Sequence, residues 1–354
     1  MEKFGQLRIV YVGHRFLHHG KYAGYQMLAQ FVENTHLLAP HWAHYMLAPI
    51  PDALLFRFPP FHPNWYNREA FDIEGQAAVQ MVTGGNTVFH FLYGEHSFRW
   101  SGKVNRWAGR RNRVVATYHQ LPQFFEQRRS QFSHLRDLDA VILVASNQRE
   151  FFESVIPSEK VHVIPHGVDT HFFQPPTERT RPDRPLRCLT VGSNYRDFAM
   201  HVQVIRNINR SSLRGVEFVA IGEPRCAEYF AGLENVRYLS DISDDELLRW
   251  YQTSDVLLLP LQDATACNAL LEGMACGLPI VVTDVGGVRD YVDEGCAALV
   301  PVCDAAAMTE QVIELFQDEN RRAGLGKRAR QKAICQFDWS IGARQVVDLY
   351  QRII

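Results

Sequence analysis

The chain has 354 residues, with 37 Lys+Arg against 39 Asp+Glu, a formal net charge of -2 and 46% hydrophobic positions. That length suits two domains, each large enough to bury its own core. Near neutrality excludes a nucleic-acid protein that relies on overall positive charge for phosphate affinity, and the apolar content excludes a disordered chain.

The start, MEKFGQLRIVYVG, has too short an apolar run for a secretory leader, and the seven cysteines form no CxxC pair. Together these features predict a reducing, cytoplasmic setting without structural zinc. Apolar runs such as Val256 to Leu261 fall far short of the roughly twenty residues that cross a bilayer, so any membrane contact is expected to be peripheral, at the inner face. The strand LRIVYVG opens into HRFLHHGKYAGYQML, a loop with Gly13, Gly20 and Gly24 before a predicted helix. In FRFPPFHPNWYNREAF, the rings of Phe58, Phe61, Trp65 and Tyr66 suit either stacking on a ligand ring or local packing.

TVFHFLYG and NRVVATYH read as the next strands. Between them, SFRWSGKVNRWAGRRNR spaces Trp100, Val104 and Trp107 at i, i+4 and i+7, with Arg99, Lys103, Arg106, Arg110 and Arg113 on the neighbouring stripe. That pattern predicts a basic amphipathic helix over residues 99–113. Such a helix either docks on anionic lipid head groups or packs its tryptophans on the domain and solvates its arginines. AVILVAS and VHVIPHG complete the first half.

The proline-rich, charged stretch from His171 to Arg187 has no periodicity a core could use and reads as a linker. Beyond it LRCLTVG, VEFVAIG, DVLLLPL and LPIVVTD again alternate with helical patterns. Short apolar β-branched runs of this kind are buried parallel strands. The expected fold is α/β, with two Rossmann-like parallel-sheet domains meeting at a cleft between their carboxyl edges. The boundaries are an N-terminal domain over 1–168, a linker over 169–186, a second domain over 187–338 and a terminal helix over 339–354 that returns to the first.

The densest signal is DATACNALLEGMACGLPIVVTDVGGVRDYV, from Asp263 to Val292. Its middle, Asn268 to Cys276, reads as a helix stopped by Gly277 and Pro279. Glu272 is the one carboxylate of that helix. A buried acid there is costly unless it is bonded to a hydroxyl or amide, in a ligand site or within the fold.

The run NALLEGMACGLPIVVTDVGG resembles the central motif of the family 4 glycosyltransferases, retaining enzymes of the GT-B fold. VHVIPHGVDTHFF, RCLTVG, SDISDDELLRWYQTSDVLLLPL and QFDWSIGARQVVDLYQRI resemble further family segments in the same order. The resemblance implies a glycosyltransferase that moves a sugar from a nucleotide-diphosphate sugar, UDP- or GDP-linked, to a glycan or lipid-linked acceptor. The family assigns Glu272 to the ribose hydroxyls, a role suited to an acceptor-only group. It places Gly13, Gly192, Ile242, Ala269, Leu270 and Gly287 around the donor nucleotide, and His119, in HQLP, against the donor sugar.

Two departures from the family stand out. Its pattern has a first glutamate eight positions before Glu272, where this chain has Ala264; Asn268 or Asp263 is the expected replacement. The loop GSNYRDF lacks the family's usual pair of cations, leaving Arg196 as the expected diphosphate grip, with Arg289 a second candidate. No metal and no separate cofactor are implied, because arginine charge takes the metal's part. Two other readings stay open: a catalytically inactive subunit that binds sugar nucleotides, suggested by Ala264 and Ser193, and a GT-B nucleotide-sugar epimerase.

Overall fold

Runs of Val, Ile, Leu and Phe long enough for one crossing of a buried sheet become its strands, and the polar, glycine-bearing residues that follow them become its loops. The computed structural model describes residues 8–13, 20–33, 35–39, 66–109, 111–177, 184–213 and 215–354. They form two parallel six-stranded sheets in the orders β2-β1-β3-β4-β5-β6 and β12-β11-β10-β7-β8-β9. The first sheet comprises β1 (Arg8–Val12), β2 (Thr35–Leu38), β3 (Thr87–Phe91), β4 (Arg113–Tyr118), β5 (Ala140–Leu143) and β6 (Val161–Val163). The second comprises β7 (Leu186–Val191), β8 (Val216–Ile221), β9 (Val236–Leu239), β10 (Val256–Leu259), β11 (Ile280–Thr283) and β12 (Ala298–Val300). The central strands β3, β5, β10 and β11 are buried at every position.

The chain divides into two compact units. One holds residues 1–19, 24–166 and 342–354; the other holds 20–23 and 167–341. In the first unit, α1 (Arg68–Thr83) packs beside α2 (Ser101–Trp107). The second contains α3 (Phe198–Arg210), α4 (Asp244–Thr253) and α5 (Asn268–Ala275). Ser243 caps α4 and Glu246 returns the bond, so Asp244 and Asp245 are the acidic first turn of a helix. The final helix, α6 (Trp339–Ile353), contributes to the first unit through Tyr350, whose hydroxyl lies 2.6 Å from Nδ1 of the buried His90.

Two expectations are corrected. Residues 99–113 do not form one amphipathic helix, because α2 covers only Ser101–Trp107 and Gly109, at φ +87°, lies just beyond its end. Arg99 is buried before the helix, donating to the carbonyls of Phe98 and Glu95, and Arg113 lies in β4 and donates to the carbonyl of Ile353. Trp100 is also turned inward, its Nε1 donating to the Tyr66 hydroxyl at 2.9 Å, so only Lys103, Arg106, Trp107, Gly109 and Arg111 are exposed, with Arg110 outside the described residues. Physically, the buried Glu74 of α1 accepts from the backbone N–H groups of Arg99, Trp100 and Ser101, which stops the chain from extending the helix backwards. The second correction concerns Tyr66, which is buried and bonded to Glu74 and so presents no face to a sugar. Phe58, Phe61 and Trp65 lie outside the described residues.

Candidate functional site

Growth of the second sheet reverses between β7 and β10, and the carboxyl ends of strands at such a switch point leave a ligand crevice. Three loops leave there: residues 192–197 after β7, 260–267 after β10 and 284–287 after β11. Backbone hydrogen bonds knit them together. Asp197 N donates to Pro260 O, Gln262 N to Tyr195 O and Gly287 N to Ala264 O, each at 2.9 Å. Leu261 N donates to Thr283 Oγ1 at 2.9 Å, tying the middle loop to β11.

Glycine is required at two places in this cradle. Gly286 has φ +56°, and a Cβ on it would stand 2.2 Å from the Ala264 carbonyl oxygen. Gly192 has φ +93°, and its missing side chain leaves room for the Arg196 guanidinium, whose Nη2 would stand 2.6 Å from a Cβ. The position where the family has its first glutamate is therefore occupied by a small, buried residue whose backbone seats the Gly286-Gly287 turn. Asp263 curls back, its Oδ1 accepting from Ala264 N at 2.8 Å.

Arg196 is half-buried and its fork faces its own loop. Nε and Nη2 donate to Val191 O at 3.0 and 2.6 Å, Nη1 donates to Asn194 O at 3.0 Å, and Nη2 lies 3.6 Å from Cys267 Sγ. The charge is in the cradle, and the guanidinium also shapes the loop. Arg289 is held outside by Asp284 and Glu294, at 2.8 and 3.0 Å.

Helix α5 enters through Cys267, which has no capping side chain, so the helix opens on the backbone N–H groups of its first turn. Asn268 begins it and is half-buried, while Ala269 and Leu270 are buried in the core. Ile242, before α4, packs against the same core. Glu272 is 5% exposed and its Oε2 accepts from the Tyr251 hydroxyl at 2.8 Å. Burial pushes its carboxyl up to about 7 and Asp244 adds to the rise, while the Tyr251 bond and the Arg196 charge oppose it.

The first unit has its own cluster at the carboxyl ends of β1, β3 and β4. Gly13 is buried there, and its missing side chain accommodates Leu37 Cδ1, 2.9 Å from where a Cβ would be. His119 follows β4. Its backbone N–H donates to Glu95 Oε1 at 3.2 Å, and its Nδ1 stands 3.4 Å from the same oxygen. The rings of Tyr93 and Tyr25 lie 4.7 and 5.1 Å from the imidazole. Burial raises the Glu95 carboxyl, but the charge and hydrogen bond of His119 outweigh this and hold it below its ordinary value.

The structure thus brings Gly192, Arg196, Asn268, Glu272 and Gly287 to one edge of the second unit, and His119 and Gly13 to one edge of the first. Sequence reasoning missed Tyr251, Tyr195 and Glu95. Tyr251 lies 21 residues before Glu272 in another helix, and no local spacing announces that bond. Tyr195 carried a faint signal, as an aromatic residue in a glycine-ended loop. It has φ +56°, a strained conformation for such a residue, and its exposed ring carries a hydroxyl raised by burial and by Asp263. Glu95 lies in a one-turn helix, Gly94–Ser97, just after β3, and nothing in its local sequence distinguishes it.

Comparison with known proteins gives concordant matches in both halves. Residues 186–318 match the family described as Glycosyl transferases group 1, and residues 85–172 match Glycosyltransferase Family 4. The MMP alpha-(1->4)-mannosyltransferase of Mycolicibacterium hassiacum is 28% identical over 56% of this chain and 50% of its own length. The D-inositol 3-phosphate glycosyltransferase of Corynebacterium urealyticum is 26% identical over 55% of this chain and 51% of its own. The chain therefore spans about half the length of the curated relatives it matches. Among solved structures, Anabaena Alr3699/HepE in complex with UDP-glucose superposes with a TM-score of 0.71 at 14% identity, covering 98% of this chain and 99% of that one.

Proposed function

The chain belongs to glycosyltransferase family 4, with the paired parallel-sheet α/β architecture of GT-B proteins, and from that membership we propose that it transfers a sugar from a nucleotide-diphosphate sugar to a glycan or glycolipid acceptor. The observation that carries this reading is Glu272: a buried carboxylate at the switch point of a nucleotide-binding type of sheet, with one oxygen held by Tyr251. A carboxylate so placed accepts hydrogen bonds from a ribose diol. The α5 N-terminus and the Gly286-Gly287 turn supply backbone N–H groups suited to the diphosphate, and Arg196 supplies charge for its departure. On this reading the reaction retains the anomeric configuration, the leaving phosphate takes the acceptor's proton, and no metal takes part. Asn268 or Asp263 stands for the absent first glutamate, and His119 is the residue the family assigns to the donor sugar.

Incubation with UDP-, GDP-, ADP- and TDP-sugars tests this directly. At least one class is expected to raise the melting temperature and to undergo slow hydrolysis or transfer, since a ligand of the native state stabilises it. Binding without turnover across donors and acceptors indicates the inactive subunit instead. A changed sugar recovered without added acceptor indicates the epimerase.

The acceptor is proposed to be presented at a membrane surface. Among the described residues no helix is long and apolar enough to cross a membrane. Trp107 is 83% exposed at the end of α2, beside the exposed Lys103, Arg106 and Arg111, an arrangement of one aromatic anchor and several cations suited to an anionic interface. Flotation with phosphatidylglycerol-containing vesicles is expected to recover the protein, and Trp107→Ala with Arg106→Ala and Arg111→Ala to release it. Equal recovery on neutral vesicles, unchanged in that variant, removes the membrane from the reading.

A further inference from the structure

Glu272 is bonded on one side only. Its Oε2 accepts from Tyr251, which is fully buried, whereas Oε1 has no hydrogen-bond partner among the described residues and is not sealed from solvent. Tyr251 sits in the last turn of α4, with its ring edge-on to Phe173, 6.0 Å between centroids. Its hydroxyl therefore has little freedom, and it can satisfy Glu272 only by donating.

We propose that Tyr251 is the positioning residue for this carboxylate: by holding Oε2 it turns Oε1 outward toward the nucleotide and makes nucleotide binding depend on the proton state of the Tyr251–Glu272 pair. The proposal rests on the nucleotide reading of the second unit. A carboxylate accepts two hydroxyls of a diol, whereas a protonated acid offers a donor in place of one acceptor. Binding of a ribose then requires the proton to leave, and affinity falls as pH drops through the titration of Glu272.

The groups that face Glu272 set the direction of each change. From α4 come Tyr251, whose hydrogen bond favours the ionised form, and Asp244, whose charge opposes it. From the loop after β7 comes Arg196, which favours it. Cys267 and Cys276 flank the pair at either end of α5 and interact with Tyr251. Arg330 donates to the Ala275 carbonyl at 2.7 Å and interacts with Cys276, and does not act on Glu272 itself. Replacing Tyr251 by Phe removes only the hydroxyl and keeps the ring against Phe173. It is expected to raise the titration of Glu272. Replacing Asp244 by Asn acts in the opposite direction from the same helix.

The carboxyl titration of Glu272, followed by carbon NMR in the intact chain without ligand, tests the coupling. Wild type is expected to titrate near pH 7, Tyr251→Phe about one pH unit higher and Asp244→Asn lower. An unchanged midpoint in Tyr251→Phe overturns the proposal. If that variant does not fold, an unchanged or raised midpoint in Asp244→Asn overturns it. With free UDP and GDP as probes, affinity is expected to fall about tenfold for each pH unit below the midpoint, and the break to move with the variant. Nucleotide binding that is flat between pH 5.5 and 8.5 overturns the proposal while leaving the nucleotide reading in place. Full nucleotide affinity in Glu272→Ala, or no affinity for UDP, GDP, ADP or TDP in wild type, overturns the nucleotide reading itself, and the ligand-free titration then still decides whether Tyr251 holds the carboxylate.

Discussion

Glu272→Gln is expected to make the protein more stable at pH 8 and nearly blind to its nucleotide. The two effects share one cause. Folding takes this carboxyl from its ordinary 4.5 to about 7, chiefly by burying it. A group whose folded value is raised contributes stability below the unfolded value and loses it as pH rises through the folded one, so stability declines between about pH 4.5 and 7 and stays lower above. That gap corresponds to about 3 kcal/mol at alkaline pH. Glutamine keeps an oxygen for the Tyr251 hydroxyl and removes the charge, so it recovers most of that loss. The expected readout is a melting temperature about 5–10 °C higher at pH 8 and little changed at pH 4.5.

Function moves the other way. An amide presents a donor where a diol requires an acceptor, and loss of a charge-assisted hydrogen bond of about 1.5–3 kcal/mol lowers nucleotide affinity on the order of 100-fold. Calorimetric titration with the donor identified by the sugar-nucleotide panel reads this number. Wild-type affinity in the variant would remove Glu272 from the binding site. An unchanged melting temperature at pH 8 would show that the carboxylate is not strained by its burial. That pair of results would mark stability given up at a site where charge is needed.

Glu74→Ala is expected to have the largest effect on the fold. Glu74 is fully buried in α1, and its Oε1 accepts from Arg99 N, Trp100 N, Ser101 N and Ser101 Oγ at 2.7 to 2.8 Å, while Oε2 accepts from Tyr66 at 2.5 Å. Alanine leaves all these donors buried and without an acceptor, at about 1–3 kcal/mol for each one that water cannot reach. Partial relaxation brings the total to about 4–5 kcal/mol, the range for breaking a buried charged network. Glutamine, which keeps one carbonyl oxygen but offers an amide to the Tyr66 hydroxyl, is expected to cost about 1–2 kcal/mol. Denaturant titration measures both, and hydrogen exchange at Arg99, Trp100 and Ser101 localises them. Loss below about 1 kcal/mol in the alanine variant would show that other groups hold the start of α2.

Glu74 also shows why the basic stripe misled. The spacing of Trp100, Val104 and Trp107 is helical, and Val104 and Trp107 do lie in a helix, yet Trp100 stands just before it. Periodicity records which residues could share a face, and a carboxylate contributed from 25 residues earlier decides where the helix starts. In the same way β2, β9 and β12, three of the four edge strands, were not legible as strands: β2 and β9 are partly solvated, so their composition resembles a loop, and β12 is only three residues long.

Local chemistry determined much of this protein. Buried parallel strands need continuous apolar runs, so β1, β3, β4, β5, β7, β8, β10 and β11 stand in the sequence as blocks. An apolar helix stopped by glycine and proline marks α5 and isolates Glu272. The Gly-Gly turn and the glycine after β7 mark the loops of the site. All of these are requirements of a few consecutive residues, and a few consecutive residues display them. What only the tertiary structure decided is which oxygens and protons meet. Tyr251 reaches Glu272 from another helix, Glu95 reaches His119 from a short helix after β3, Ala264 lends its carbonyl region to Gly286, and Arg196 folds onto the carbonyls of its own loop. Those contacts depend on sheet order and on the close packing of side chains distant in sequence. They set the protonation and direction of each group, and through them what the site can bind.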